Sequence, residues 1–155
     1  ILAHIPEMTL FLNPHADSFL RLGEKKAPRY ISWSHENRST LIRIPAVKGG
    51  RSRIELRSPD PMANPYLCYA LLIHAGMDGI RRNLQAGDPL DVNLYTAGSD
   101  ITRTLQALPA DRQAARCGVE VDPRVGVIQF MKQDVRGGQS GMPAEIDFGE
   151  RCKPA

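Results

Sequence analysis

Cysteine is scarce and badly placed for a scaffold. Cys68, Cys117 and Cys152 are far apart and odd in number, which excludes a disulfide framework and a CxxC zinc pattern and fits a reducing compartment. Long apolar runs are missing as well: the most apolar stretch, residues 66–77, is too short for a membrane span. No basic leader with an apolar core follows Ile1, so a cytoplasmic protein is expected. Charge of one sign is also lacking. Lys and Arg number 20 against 17 Asp and Glu, and a net charge of +3 excludes the bulk positive field that would bring nucleic acid as a partner. His4, His15, His35 and His74 show no paired metal-ligand spacing, and no P-loop is present, because the runs at residues 48–51 and 137–141 lack its Lys-Ser/Thr element. What is there is an ordinary globular composition, 42% hydrophobic and 24% charged over 155 residues, enough for one domain with a core.

Local signals divide the chain. Residues 8–12 read as a short strand or buried segment closed by Asn13-Pro14, and residues 18–22 as one helical turn. Residues 29–33 and 40–44 are β-prone and flank turn chemistry at His35-Glu36-Asn37, which predicts a hairpin. The three prolines of residues 58–65 stop strand continuation. Asn64 then makes a good N-cap and Pro65 a good first helical residue, so a helix is expected over residues 66–83, with Arg81 and Arg82 opposite the negative end of its dipole. Its first half is apolar nearly all round, which predicts burial, with Cys68, His74 and Met77 as core or boundary residues rather than ligands.

Arginine is concentrated in residues 30–60, where Arg38, Arg43, Arg51, Arg53 and Arg57 surround the single acid Glu55 apart from Glu36 and the terminal Asp60. In Arg53-Ile54-Glu55-Leu56-Arg57 a side-chain period of two sends Ile54 and Leu56 to one face and the charges to the other. Such a row is ordinarily a solvated face laced by cross-strand ion pairs. Its rigid guanidinium forks beside a carboxylate also suit anionic ligands together with a hard metal ion.

The ordered series Asn37-Arg38-Ser39, Ile42-Arg43-Ile44-Pro45, Arg53-Ile54-Glu55-Leu56-Arg57-Ser58-Pro59-Asp60-Pro61 and Ala63-Asn64-Pro65-Tyr66-Leu67 resembles the C-terminal part of the glutamine synthetase catalytic domain. Phe11-Leu12-Asn13-Pro14, Arg21-Leu22, Ala75-Gly76-Met77-Asp78-Gly79-Ile80 and Asn93-Leu94-Tyr95 extend the match, which covers residues 1–108 and leaves 109–155 as an unassigned tail expected to be poorly ordered. The opening at Ile1 in mid-domain suggests a piece of a longer protein. The resemblance implies an α+β fold in which this segment forms part of a curved antiparallel sheet with flanking helices. It also implies a homo-oligomeric double ring, with ATP, glutamate and ammonia as substrates and Mg2+ or Mn2+ as cofactor.

Residue by residue, the resemblance implies that Glu55 is a metal ligand and that Arg21, Arg57 and Arg38 bind glutamate. Arg38, Arg43 and Arg53 fall on arginines near ATP, with Arg51 in place of a nucleotide-proximal lysine, and Arg38 and Arg43 are the expected catalytic pair at the transferred phosphate. Residues 23–28 correspond to the family's substrate-covering flap, but Lys26 stands where many members carry a glutamate, and Glu24 is two residues early. That departure leaves open a glutamate–amine ligase of the γ-glutamyl-polyamine type, beside a non-catalytic anion-binding module. With only Glu55 in matching context among the family's carboxylate ligands, the isolated chain is expected to be inactive.

Overall fold

The computed structural model describes residues 1–24, 26–46 and 52–120. Arg51, the glycine turn before it and residues 121–155, including the expected β-like run at 125–131, lie outside the described residues.

The chain opens with a 3-10 turn, Leu2–His4, and helix α1, Ile5–Leu12. A helix here corrects the strand expected at residues 8–12. Seen from Ile5, the apolar positions 5, 8 and 12 recur at helical spacing, and Ile5, Met8 and Leu12 are all buried on one face. Pro6 occupies the first turn, where its missing N–H costs nothing. The Thr9 hydroxyl donates back to Ile5 O at 2.6 Å, and Asn13, which leaves the helical region before Pro14, ends the helix. Helix α2, Ala16–Leu20, follows as expected near residues 18–22. His15 caps it through a reciprocal arrangement with Ser18.

Three short strands form one sheet in the order β1 (Trp33–His35), β2 (Ile42–Ile44), β3 (Glu55–Leu56). The expected hairpin does not form, because β1 and β2 run parallel, with Trp33 opposite Ile42 and His35 opposite Ile44. Only β2 and β3 are antiparallel. Side-chain alternation carries no information on strand direction; the connection decides it. Here Asn37 donates to Leu90 O at 2.9 Å and to Val92 O at 2.8 Å while accepting from Ser39 N and Oγ, and Glu36 adopts a left-handed φ of 58°. These bonds anchor the connecting loop to residues 90–92 and leave no room for a two-residue reversal. Residues 29–31 pair instead with 106–108, through Ile31 N to Gln106 O and Leu108 N to Arg29 O, both 2.8 Å.

Helix α3, Pro65–Arg81, matches the expected element. The Asn64 side chain accepts from Tyr66 N at 3.0 Å and Leu67 N at 3.3 Å, a cap that contributes about 1 kcal/mol. Arg81 and the C-cap Arg82 sit at its negative end. All-round burial is not observed: Cys68, Leu71 and Ala75 are buried, His74 is half-buried, and Met77 and four other large apolar residues are exposed.

The core gathers Ile5, Met8 and Leu12 of α1 with Phe19, Leu22, Leu41, Ile42, Cys68, Leu71 and Ala75. It continues past Pro109. Leu108 and Ala115 are buried in it, the latter on helix α5 (Arg112–Glu120), which packs on α1. A single turn, α4 (Ser99–Thr102), precedes it. The architecture is α+β, a small mixed sheet flanked by helices. No helix among the described residues is long and apolar enough to cross a membrane.

Candidate active site

Arg43 and Glu55 are directly opposed in the antiparallel β2–β3 pair. Cross-strand partners stand close enough for their side chains to meet, and Arg43 Nη1 donates to Glu55 Oε2 at 2.8 Å. Arg53 Nη2 approaches the other carboxylate oxygen at 3.4 Å. The side chain of Arg43 is only 14% exposed against 59% for Arg53, so Arg43–Glu55 is the stronger pair. The expected alternation holds in part. Leu56 packs against the core, but Ile54 lies just before the first paired residue of β3 and is 52% exposed.

Arg57 does not meet Glu55. Its Nη1 donates to Thr40 O at 3.3 Å and also to Arg38 O, and its Nη2 donates to Lys26 O at 2.8 Å. One guanidinium thereby joins the flap-like loop, the β1–β2 connection and the end of β3. Lys26 adopts a left-handed φ of 77°, and Gly23, at φ 91°, lies against the Arg29 side chain. The Arg38 side chain is exposed, while its carbonyl also accepts from Tyr95 Oη at 3.3 Å. Between the flap-like loop and residues 94–95 is a cavity of about 130 Å³ lined by Gly23, Arg29, Tyr30, Ser39, Leu94 and Tyr95.

Arg21 reaches the end of the row from α2. Its Nη2 donates to Asn13 Oδ1 at 3.2 Å and to Ser58 O, and its Nε stands 3.5 Å from Asp60 Oδ2, an ion-pair contact too long for a good hydrogen bond. Asn13, Ser58 and Asp60 were absent from the sequence-derived site. The available signal was Asp60 itself, the other acid beside the arginine run. Arg21 Nε, Arg43 Nε and Ser58 Oγ are buried with no hydrogen-bond partner, which is costly for donors unless a ligand group meets them.

The hydrogen bond from Met62 N holds the Asp60 carboxyl below its usual range, helped by Ser18 and Arg21 and opposed by burial. A carboxyl depressed in the folded state takes up its proton first in the unfolded chain. Its stabilisation is therefore complete above the unfolded value near pH ~4 and is lost as pH falls through the lower folded value. Denaturant midpoints between neutral and acid pH should show Asp60→Asn flattening the acid decline; an unchanged acid slope would contradict the linkage.

Of the expected site residues the structure joins Arg43 and Arg53 to Glu55, ties Arg57 to the carbonyls of Arg38, Thr40 and Lys26, and sets Arg21 against Asn13, Ser58 and Asp60. Among the described residues no group of three His, Cys, Asp or Glu side chains could hold a metal ion. Glu55 can offer one carboxylate, already shared by two arginines, and these residues alone do not fit a divalent-cation site.

Comparison with known proteins decides the family. The model described as "Glutamine synthetase, catalytic domain" matches residues 1–130. The chain belongs to the glutamine synthetase catalytic-domain family. Its similarity to the glutamine synthetase of Methanosarcina mazei is 47% identity over 118 residues, 74% of this chain and 26% of that protein. With the glutamine synthetase of Neisseria gonorrhoeae it shares 39% over 151 residues, 88% of this chain and 32% of that one. In fold it resembles GmaS solved as an ADP complex, at a TM-score of 0.66 and 26% identity, covering 90% of this chain and 35% of that one. The chain therefore spans about a quarter to a third of the length of the glutamine synthetases it matches.

Proposed function

We propose that these residues are the C-terminal portion of a glutamine synthetase, which joins ammonia to the γ-carboxylate of glutamate at the expense of ATP. The γ-carboxylate attacks the terminal phosphorus of ATP, ADP departs, and ammonia then displaces phosphate from the γ-glutamyl phosphate. Such chemistry rests on positioning and on neutralising the charge of the transferring group. Supporting this reading above all is the Arg43–Glu55–Arg53 group, with Arg43 Nε and Ser58 Oγ buried and without a hydrogen-bond partner, in a chain of this family.

In this reading Arg21, Arg57 and Arg38 bind glutamate, and Arg38, Arg43, Arg53 and Arg51 hold ATP, with Arg38 and Arg43 at the transferred phosphate. Glu55 contributes one ligand to Mg2+ or Mn2+, the others coming from outside the described residues. The complete protein is a cytoplasmic homo-oligomer, assembled as a double ring. Lys26 at the flap position leaves an amine ligase in view, but the Methanosarcina mazei and Neisseria gonorrhoeae relatives compared above are glutamine synthetases, and ammonia is the favoured acceptor. Phosphate release by the complete protein should be faster with ammonia than with methylamine or polyamines at equal concentration. Turnover with an organic amine alone would replace this reading by the ligase, and no ATP turnover at all would leave an anion-binding module.

A further inference from the structure

One face of α3 is unaccounted for. Tyr66, Tyr69, Ile73, Met77 and Ile80 follow one another at steps of 3, 4, 4 and 3 residues, the spacing of a single helical face, and their exposures are 84, 65, 64, 44 and 75%. The other face, Cys68, Leu71 and Ala75, is already in the core. A helix apolar on both sides belongs between two layers, and a contiguous exposed apolar patch marks an interaction surface.

Gly76 supplies a second, independent sign. It lies on the same stripe, four residues before Ile80, in mid-helix, where glycine is destabilising by about 0.5–1 kcal/mol relative to alanine. A Cβ built there meets no atom within 4 Å, so nothing within the described residues calls for its smallness. A second backbone lying close to the helix would.

We propose that this stripe is the seam on which the preceding part of a glutamine synthetase chain packs, with Gly76 as the point of closest approach. Composition favours an apolar, core-like partner: residues 65–77 of α3 contain no Asp, Glu, Lys or Arg. Size argues against a second copy of this chain. Seventeen residues make a face about 25 Å long and ~10 Å wide, so a symmetric pairing of stripes buries only roughly 500 Å² in total, well under the ~1,200 Å² of a stable interface. The glutamine synthetases compared above carry about two to three times as much chain again as this segment supplies, so a partner of sufficient extent exists within the family.

This inference rests on the proposed function only in taking the chain as part of a glutamine synthetase. The tagged 155-residue chain is produced together with the part of the Methanosarcina mazei glutamine synthetase that precedes the aligned segment, and the complex is recovered through the tag. Equimolar recovery is expected, reduced roughly tenfold or more by Ile73→Glu, which would bury a charge in the seam, and by Gly76→Leu, which fills it. Among the described residues Ile73 is exposed and a Cβ at Gly76 meets no atom within 4 Å, so both variants should keep the chain's circular dichroism and melting temperature. Failure of the unaltered chain to retain the partner, retention by folded Ile73→Glu and Gly76→Leu chains, or a homodimer that the same changes dissolve would each overturn the proposal. A retained complex that forms no glutamine would count against the proposed function and leave the seam standing.

Discussion

Given ATP, glutamate, ammonia and Mg2+, the purified 155-residue chain is expected to form no glutamine above background. Divalent cations of this kind are held by several oxygen ligands at once, usually including more than one carboxylate or a phosphate. Within the described residues Glu55 stands as a single carboxylate gripped by Arg43 and Arg53, with no group of three ligating side chains near it or elsewhere. Its arginines can bind phosphate, yet without an opposing set of carboxylates the excess positive charge holds the nucleotide and leaves the transfer unassisted. Binding and turnover should therefore separate. Nucleotide binding by calorimetry can survive while glutamine formation does not. The assay needs chain produced in a host lacking its own glutamine synthetase, and any ATP-dependent glutamine formation by that material would defeat the argument.

What the sequence made legible was what is encoded locally. Asn64 and Pro65 sit next to the residues they cap, so the start of α3 could be read directly, as could the α2 turn. Helix α1 was misread because a five-residue window from Met8 is too short to show a period of 3.6, while Ile5 and Pro6 just outside it complete the pattern. The direction of β1 against β2 depends on Asn37 reaching residues 90 and 92, more than fifty positions away, and no window along the chain contains that information. The site divides in the same way. The arginine row was visible, but its partners were not: Glu55 belongs to Arg43 across the sheet as well as to Arg53 beside it, and Arg57 turns to three backbone carbonyls. Burial of α3 was half legible. The apolar pattern demands cover on both faces, and the described residues provide it on one.

Glu55→Gln in a complete enzyme carrying this segment is expected to lower turnover by about 10²-fold or more, with an increased Mg2+ requirement and little change in melting temperature. The structure sets two consequences of this change against each other. Losing the charge removes the anion that faces Arg43, whose side chain is 86% covered, and an uncompensated buried charge can be strongly destabilising. Glutamine, however, keeps an oxygen where Oε2 accepts from Arg43 Nη1, so the hydrogen bond at 2.8 Å survives with only its charge-assisted part diminished. Glu55 is also about one-third exposed, and water screens what remains. The stability cost should therefore stay at or below about 1–2 kcal/mol, whereas an amide cannot replace a carboxylate toward a hard cation. Turnover, Mg2+ titration and thermal melting on the same preparation separate the two. A folded variant with undiminished rate and Mg2+ dependence would make Glu55 no more than the counter-ion of Arg43 and Arg53. Loss of activity that simply tracks a collapsed melting temperature would reduce the row to a structural ladder between β2 and β3.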